Sequence, residues 1–283
     1  MPFTGSHPAA VLPLIRLGLV PSALVIGSMA ADLPYYLPLG LDSASTHSMT
    51  GIFGVDLLMG LAGFAVWQWL VAPLAVAIAP SALRARLPTP HPAPALRPDR
   101  PGRCADPGRL ADPGRDLRRL LLLVVSLWAG AATHVLWDEF THVDRFGYRH
   151  LSWLADLHGP LAGYRWAQYG SGVLGAAVIV LAIRSWWRSA PVTDPTPEPG
   201  MAPRASLVVL VAVVLATLGG AGTAFAWAVL RDQGVRRALF LIATWGGGAG
   251  LVAVLVCAVL FRTAREGGRI RTRRRAAVRS SGR

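Results

Sequence analysis

Three side chains with metal-binding chemistry recur at four-residue intervals in His134-Val-Leu-Trp-Asp138-Glu-Phe-Thr-His142, which closes the apolar run Leu117 to Trp137. On a helix, each step of four advances the stripe by only about 40°, so His134, Asp138 and His142 share one face if the helix continues past the membrane edge. Imidazole nitrogen and carboxylate oxygen suit zinc or a similar divalent ion, and ligands four apart on a rigid helix need little reorganisation to bind one. The plainer reading is that these are only the wet end of a membrane helix, where polar residues are common. Three further side chains of the same types, His7, Asp32 and His47, lie in separate segments nearer the N-terminus. His7, Asp32, His47, His134, Asp138 and His142 are more ligands than one tetrahedral ion needs. They suffice for one or two ions, the pair about 4 Å apart and bridged by a carboxylate such as Asp32 or Asp138. Such a pair lowers the pKa of bound water toward about 7 and clamps the oxygens of a phosphate ester, so phosphoester hydrolysis is the chemistry expected. Glu139 points roughly 100° away from Asp138 and is the general-base candidate.

The remaining ionisable groups carry less. His91 lies in a Pro-rich loop, and His150 and His158 lie in a polar loop where solvent exposure is the norm. Asp56 sits just inside an apolar span, and an intramembrane carboxylate is a functional candidate by default; it is placed to hydrogen-bond a ligand histidine or to reach the interface. Arg165 has the fork geometry for a lipid phosphate, but the aromatics around it also fit an interfacial belt.

The elements that must position these groups are membrane helices. Of 283 residues, 53% are hydrophobic, and several apolar runs approach the roughly 20 residues needed to cross a bilayer. The expected fold is an all-α integral membrane protein with a short N-terminal helical hairpin and about five transmembrane helices. Pro8 to Ala31 is interrupted by Arg16, Gly18 and Pro21, which favours two short helices joined by a bend and leaves His7 and Asp32 on one side of the membrane. The clear spans are Ile52 to Ala79, Leu117 to Trp137, about Tyr169 to Trp187, Ala205 to Leu230 and Ala238 to Phe261. Glycine clusters at Gly219 to Gly222 and Gly246 to Gly250 read as close helix packing, not phosphate loops, because no strand precedes them and no GK[ST] follows. Residues 1–190 form the membrane domain with the site. Residues 80–116 are expected as a disordered cytoplasmic loop, 191–204 as a Pro-rich linker, 205–261 as a C-terminal pair of spans, and 262–283 as an Arg-rich cytoplasmic tail.

All 28 basic residues are Arg, and the net charge is +13. Nine Arg lie in 84–119 and nine in 262–283. Both clusters flank apolar spans, so membrane orientation explains the charge better than nucleic acid does, and no nucleic-acid partner is expected. With both clusters in the cytoplasm, parity places Asp32 to Gly51 and Asp138 to Gln168 outside; Arg231, Arg236 and Arg237 run against this count. An Arg-only basic set rich in Ala, Gly and Pro company points to a bacterial source, hence the inner membrane of a bacterial cell. Cys104 and Cys257 suggest no bridge or metal clip.

The blocks Met1-Pro-Phe-Thr-Gly-Ser-His7-Pro-Ala-Ala-Val-Leu-Pro-Leu, Ala23 to Asp32, Thr46-His47-Ser48, His134 to His142 and Gln168-Tyr-Gly-Ser171 occur in the order of a bacterial membrane family catalogued as DUF4184, which the chain resembles over residues 1 to about 190. Ala31 departs from that family's pattern, which usually has Pro before the aspartate. The last two spans lie outside this resemblance. In ligand order alone the chain is more distantly similar to membrane-bound metal-dependent hydrolases and to the zinc-dependent phospholipase C and S1/P1 nuclease fold. The function that follows is a metal-dependent membrane hydrolase acting on a phosphoester, of lipid or other origin, at the outer interface. The alternative is a non-enzymatic scaffold or metal-ion carrier. The scarcity of ionisable groups deep in the spans argues against a carrier.

Overall fold

The computed structural model describes residues 4–87, 113–192 and 200–281. The protein is an all-α membrane protein, and among the described residues its strands are confined to one tiny antiparallel hairpin that pairs Leu157 with Ala162 and His158 with Leu161. Among the described residues, five helical stretches are long and apolar enough to cross a membrane: Val55–Ile78, Asp116–His150, Gly163–Ser189, Pro203–Leu230 and Val235–Gly267. Their large apolar side chains are widely exposed, as at Val173, Leu174, Leu207 and Leu218, which suits a lipid surround. His91, the Arg-Pro-Gly-Arg block at Arg100, the Asp106 repeat and most of the Pro-rich linker lie outside the described residues. The ends of the expected loop are ordered: Ser81–Arg84 is a helical turn, and the next helix begins at Pro113. Proline is well placed there, since its fixed φ suits the first helical position and its missing N–H is not needed.

The chain divides into two compact units, Met1–Ala65 with His91–Pro191, and Val66–Pro90 with Val192–Arg283. In the first, the N-terminus folds back on itself. A 3-10 turn at Thr4–Ser6 leads into Pro8–Val11 and a 3-10 stretch Leu12–Leu17, which ends at Gly18 in the left-handed region, φ 77°. The ten-residue helix Pro21–Ala30 then returns toward the start. It is too short to span a bilayer and packs instead on the long helix Pro113–Thr141.

Two glycines permit that packing. A Cβ on Gly27 would run into the Leu127 carbonyl oxygen, and one on Gly130 would run into the Leu24 carbonyl oxygen. The two backbones therefore touch, as small residues allow between helices in lipid. Ala23, Phe64 and Leu127 form the apolar core beside this crossing, with Val20, Ile26, Leu57, Leu61 and Leu123 packed on it.

The first span starts later than its apolar sequence suggests. Met49–Phe53 is a separate short helix, capped by the Ser48 hydroxyl accepting from the Gly51 N–H at 2.9 Å, and it breaks at Gly54 before Val55–Val66 begins. Just upstream, Asp42 caps Ser43–Thr46 by accepting from the Ser45 N–H at 2.8 Å. His47 is the residue between these two capped turns.

In the second unit the first span continues through a π-helical stretch, Trp67–Val71, into Ala72–Ile78. Pro73 has no N–H to offer the Trp69 carbonyl four residues back, and that oxygen accepts instead from Arg262 Nη1 at 3.3 Å. Pro203–Leu230 packs against Val235–Ser281, a helix that runs from its apolar part into the Arg-rich tail. Gly220 meets the Trp245 carbonyl and Gly250 meets Thr217 Oγ1 at this seam, whereas Gly219 and Gly222 face open space.

Gly27→Ala and Gly130→Ala are expected to force the crossing apart at a cost of about 1–3 kcal/mol each, while Gly219→Ala has no such neighbour. Thermal unfolding in detergent should show lower Tm for the first two alone; three equal values would refute the backbone contact.

Candidate metal centre

The long helix Pro113–Thr141 continues beyond the apolar run, so His134 and Asp138 share one face of a single helix and His142 follows its last residue. The N-terminal fold-back brings His7 and Asp32 to that face, and the two capped turns bring His47. His7, Asp32, His47, His134 and Asp138 are all buried, and His7/His134/Asp138 and Asp32/His47/His134 each place ligand atoms within 4.8 Å of one another.

The distances describe a cage. His47 Nε2 lies 3.3 Å from Asp32 Oδ1 and 3.5 Å from Asp138 Oδ2, and His134 Nε2 lies 3.6 and 3.5 Å from the same two oxygens. Ligands about 2.0–2.1 Å from a tetrahedral ion stand roughly 3.3–3.4 Å from each other, so these four separations match the edges of such a site. The neighbouring groups orient the ligands. His134 Nδ1 donates to the Ser28 carbonyl at 2.8 Å, which leaves Nε2 with its lone pair toward the carboxylates. That carbonyl arrives there because the glycine crossing sets Pro21–Ala30 against the long helix. His47 Nδ1 lies 2.9 Å from Thr46 Oγ1. The Thr4 hydroxyl donates to Asp32 Oδ2 at 2.6 Å and itself accepts from the Tyr36 hydroxyl at 3.1 Å.

His7 Nε2 and His134 Nε2 are buried and lack a hydrogen-bond partner among the described residues. A buried nitrogen left so is costly unless something binds it, and two such atoms aimed at carboxylates fit a cation. Burial holds the His7 imidazole down at about 4, with His134 adding to the effect, so its lone pair is free at neutral pH. Burial alone would push the Asp32 carboxyl up, but the close approach of the His134 and His47 imidazoles outweighs it and keeps the group well below the usual carboxylate range. The donor set of three imidazoles and two carboxylates suits zinc or a similar divalent ion.

His142 stands at the rim. Its side chain is 29% exposed, with Nδ1 3.5 Å from Asp138 Oδ1 and Nε2 3.5 Å from Gln168 Nε2. A cavity of about 200 Å³ opens beside it, lined by Asp32, Tyr35, Ser43, His47, Asp138, His142, Val143 and Arg145. Arg145 anchors through Nη1, which donates to the His47 carbonyl at 2.7 Å and to Glu139 Oε1 at 3.2 Å; Glu139 Oε2 accepts from the Phe146 N–H at 3.0 Å. Glu139 is thus engaged on both oxygens and holds Arg145, an arrangement the general-base expectation did not include.

The other expectations land elsewhere. His150 donates from Nδ1 to the Phe146 carbonyl, and His158 donates from Nε2 to the Trp153 carbonyl while stacking on that indole. Arg165 Nε donates to the Tyr164 hydroxyl at 2.8 Å. Asp56 is 1% exposed with neither oxygen hydrogen-bonded. Sequence reasoning gave no role to Thr4, Ser28, Thr46, Tyr36 or Arg145.

A family model described as a domain of unknown function (DUF4184) matches residues 1–259. No curated protein and no solved structure matches the chain. The match takes in Pro203–Leu230 and reaches Val259 within the last span, so it extends past residue 190, where the resemblance carried by the sequence blocks ends.

Unfolded His7 takes its proton near 6.5 and folded His7 near 4. The folded state therefore loses stability as pH falls from 6.5 toward 4 and no further below it. In histidine-labelled, metal-free protein, the resonance absent from His7→Gln should titrate near pH 4; a midpoint near 6.5 would show a solvated ring.

Proposed function

Since the chain belongs to the DUF4184 family, whose description states no activity, the site itself has to indicate the function, and we propose that the protein is a metal-dependent membrane hydrolase acting on a phosphoester. One observation carries this reading. The buried His–Asp cage adjoins a cavity that also presents a guanidinium, that of Arg145. The cage supplies ligands for a divalent cation, zinc by its donor types, and the guanidinium supplies a fork for an anionic oxygen pair.

A divalent ion held there would supply a bound water of near-neutral pKa and polarise a phosphoryl oxygen. The protein's own groups do the rest. Asp32 and Asp138 fix the cage, with Thr4 and Tyr36 orienting Asp32 and the Ser28 carbonyl orienting His134. Arg145 positions the phosphate, and Glu139 holds Arg145 by ion pair and hydrogen bond. The cavity is large enough for a phosphate group and a few waters, given about 30 Å³ per water.

Lipid origin of the substrate is favoured by the segment that carries Val143 and Arg145 on the cavity wall. Val143, Phe146, Leu151, Trp153 and Leu157 are exposed apolar side chains in the segment that follows the long helix. Aromatic and aliphatic groups at a helix end suit the headgroup region. From the Arg-rich segments we infer a cytoplasmic C-terminus in a bacterial inner membrane and a site on the outer face; a reporter enzyme fused after Arg283 that is active only in the periplasm would reverse that orientation.

Detergent-purified protein should carry metal, and the His134→Ala/Asp138→Asn double variant should carry none while remaining membrane-inserted. Arg145→Ala should keep the metal and lose about tenfold or more in kcat/KM on a phosphodiester such as bis(p-nitrophenyl) phosphate or a vesicle phospholipid. Full metal content in the double variant would remove the site assignment, and loaded protein inert on every phosphoester would remove the reaction.

A further inference from the structure

We propose that the centre holds two divalent cations in unequal sites, with Asp138 bridging them through its two oxygens. This rests on the metal reading above and specifies it. The first site is the cage of Asp32 Oδ1, His47 Nε2, His134 Nε2 and Asp138 Oδ2, whose four measured edges run from 3.3 to 3.6 Å. The second is formed by the other oxygen of the same carboxylate. Asp138 Oδ1 lies 3.5 Å from His142 Nδ1 and 3.9 Å from His7 Nε2.

The ring geometry separates the two sites. His7 and His134 stack with centroids 3.9 Å apart and planes 25° apart. A ring nitrogen binds an ion along its own in-plane lone pair, so two nearly parallel stacked rings cannot both point at one ion, but they can each point at one of two. Their nitrogens face different oxygens of Asp138, and both nitrogens are buried without a hydrogen-bond partner among the described residues. The stacking distance falls in the roughly 3.5–4 Å spacing of two-metal sites. His47 meets His134 nearly edge-on, at 67° and 5.3 Å, as two ligands converging on a single ion do.

The two sites differ in their number of protein ligands. The first takes four, which fills a tetrahedral ion in the manner of a structural site; the second takes three, one of them the partly exposed His142. The open position therefore belongs to the second ion, and the cavity wall that carries Asp32, His47 and Asp138 also carries His142 and Arg145. Occupancy should follow: the first ion binds tightly and the second exchanges.

Metal-free full-length protein in detergent, titrated with zinc against a chromophoric chelator, should bind two equivalents with the second at least tenfold weaker. His142→Ala and His7→Gln should each bind one. Manganese-loaded wild type should give an exchange-coupled paramagnetic resonance spectrum, replaced by an isolated-ion spectrum in His142→Ala. One equivalent in the wild type, or two equivalents with no coupling, overturns the bridged pair while leaving a metal-dependent site intact. No bound zinc at all overturns the metal reading itself. The wild-type stoichiometry and coupling need no variant, so a misfolded substitution cannot mask the result.

Discussion

Two carboxylates, Asp32 and Asp138, lie 3% and 4% exposed at the end of an apolar helix, and the rest of the first unit is arranged around compensating them. Burying an ionised carboxylate without partners is among the most expensive things a fold can do. Here each carboxylate is met by imidazole nitrogens 3.3–3.9 Å away, and Asp32 also accepts from Thr4. The histidines need their own support, and the backbone gives it. Ser28 offers a carbonyl to His134 only because Gly27 and Gly130 let two helices meet backbone to backbone. The site and the helix crossing are thus one constraint: a methyl group at the crossing moves the acceptor that fixes the tautomer of a ligand.

The N-terminal hairpin follows from the same requirement. A single straight span from Pro8 to Ala31 would carry His7 and Asp32 to opposite faces of the bilayer. Gly18, left-handed at φ 77°, turns the chain after a 3-10 stretch, and Pro21 starts the return helix. That return leaves the Val20 N–H in need of an acceptor, which it finds in Ser126 Oγ of the long helix at 2.9 Å. Irregular backbone near membrane depth is tolerated where protein satisfies it, and this segment meets that condition.

Much of this was legible in the sequence because it rests on periodicity and composition. The four-residue spacing of His134, Asp138 and His142 requires only that a helix persist, and it persists to Thr141. The broken apolar pattern before Asp32 gave the hairpin, because Gly and Pro act locally. Other features depend on contacts between segments and left no local mark. Thr4 and Ser28 are ordinary residues until the hairpin closes; what recruits them is a hydroxyl and a main-chain carbonyl, and neither is a motif. Arg145 has no local mark either, because nothing in its neighbours says that it reaches the carbonyl of His47, 98 residues earlier. The break at Gly54 was missed for a different reason: Ile52 and Phe53 are apolar enough to extend the span on hydropathy, while the cap at Ser48 begins a short helix that ends at Gly54, before the span proper starts at Val55.

The candidate ligands come from two kinds of element, and that has an energetic consequence. His134 and Asp138 sit on a helix that is stable in lipid by its own hydrogen bonds, whereas His7, Asp32 and His47 sit on short turns that cannot span and have few residues each to bury. A cation bound between the two sets acts as a cross-link from the turns to the helix, so its binding free energy is also the docking free energy of the N-terminal segment. The glycine crossing supplies part of that docking without any ion, through the Ala23, Phe64 and Leu127 core. The chain can therefore assemble a nearly complete cage first and bind the cation second. That order suits a site whose tight cage is fully buried and whose open edge at His142 remains reachable from the cavity.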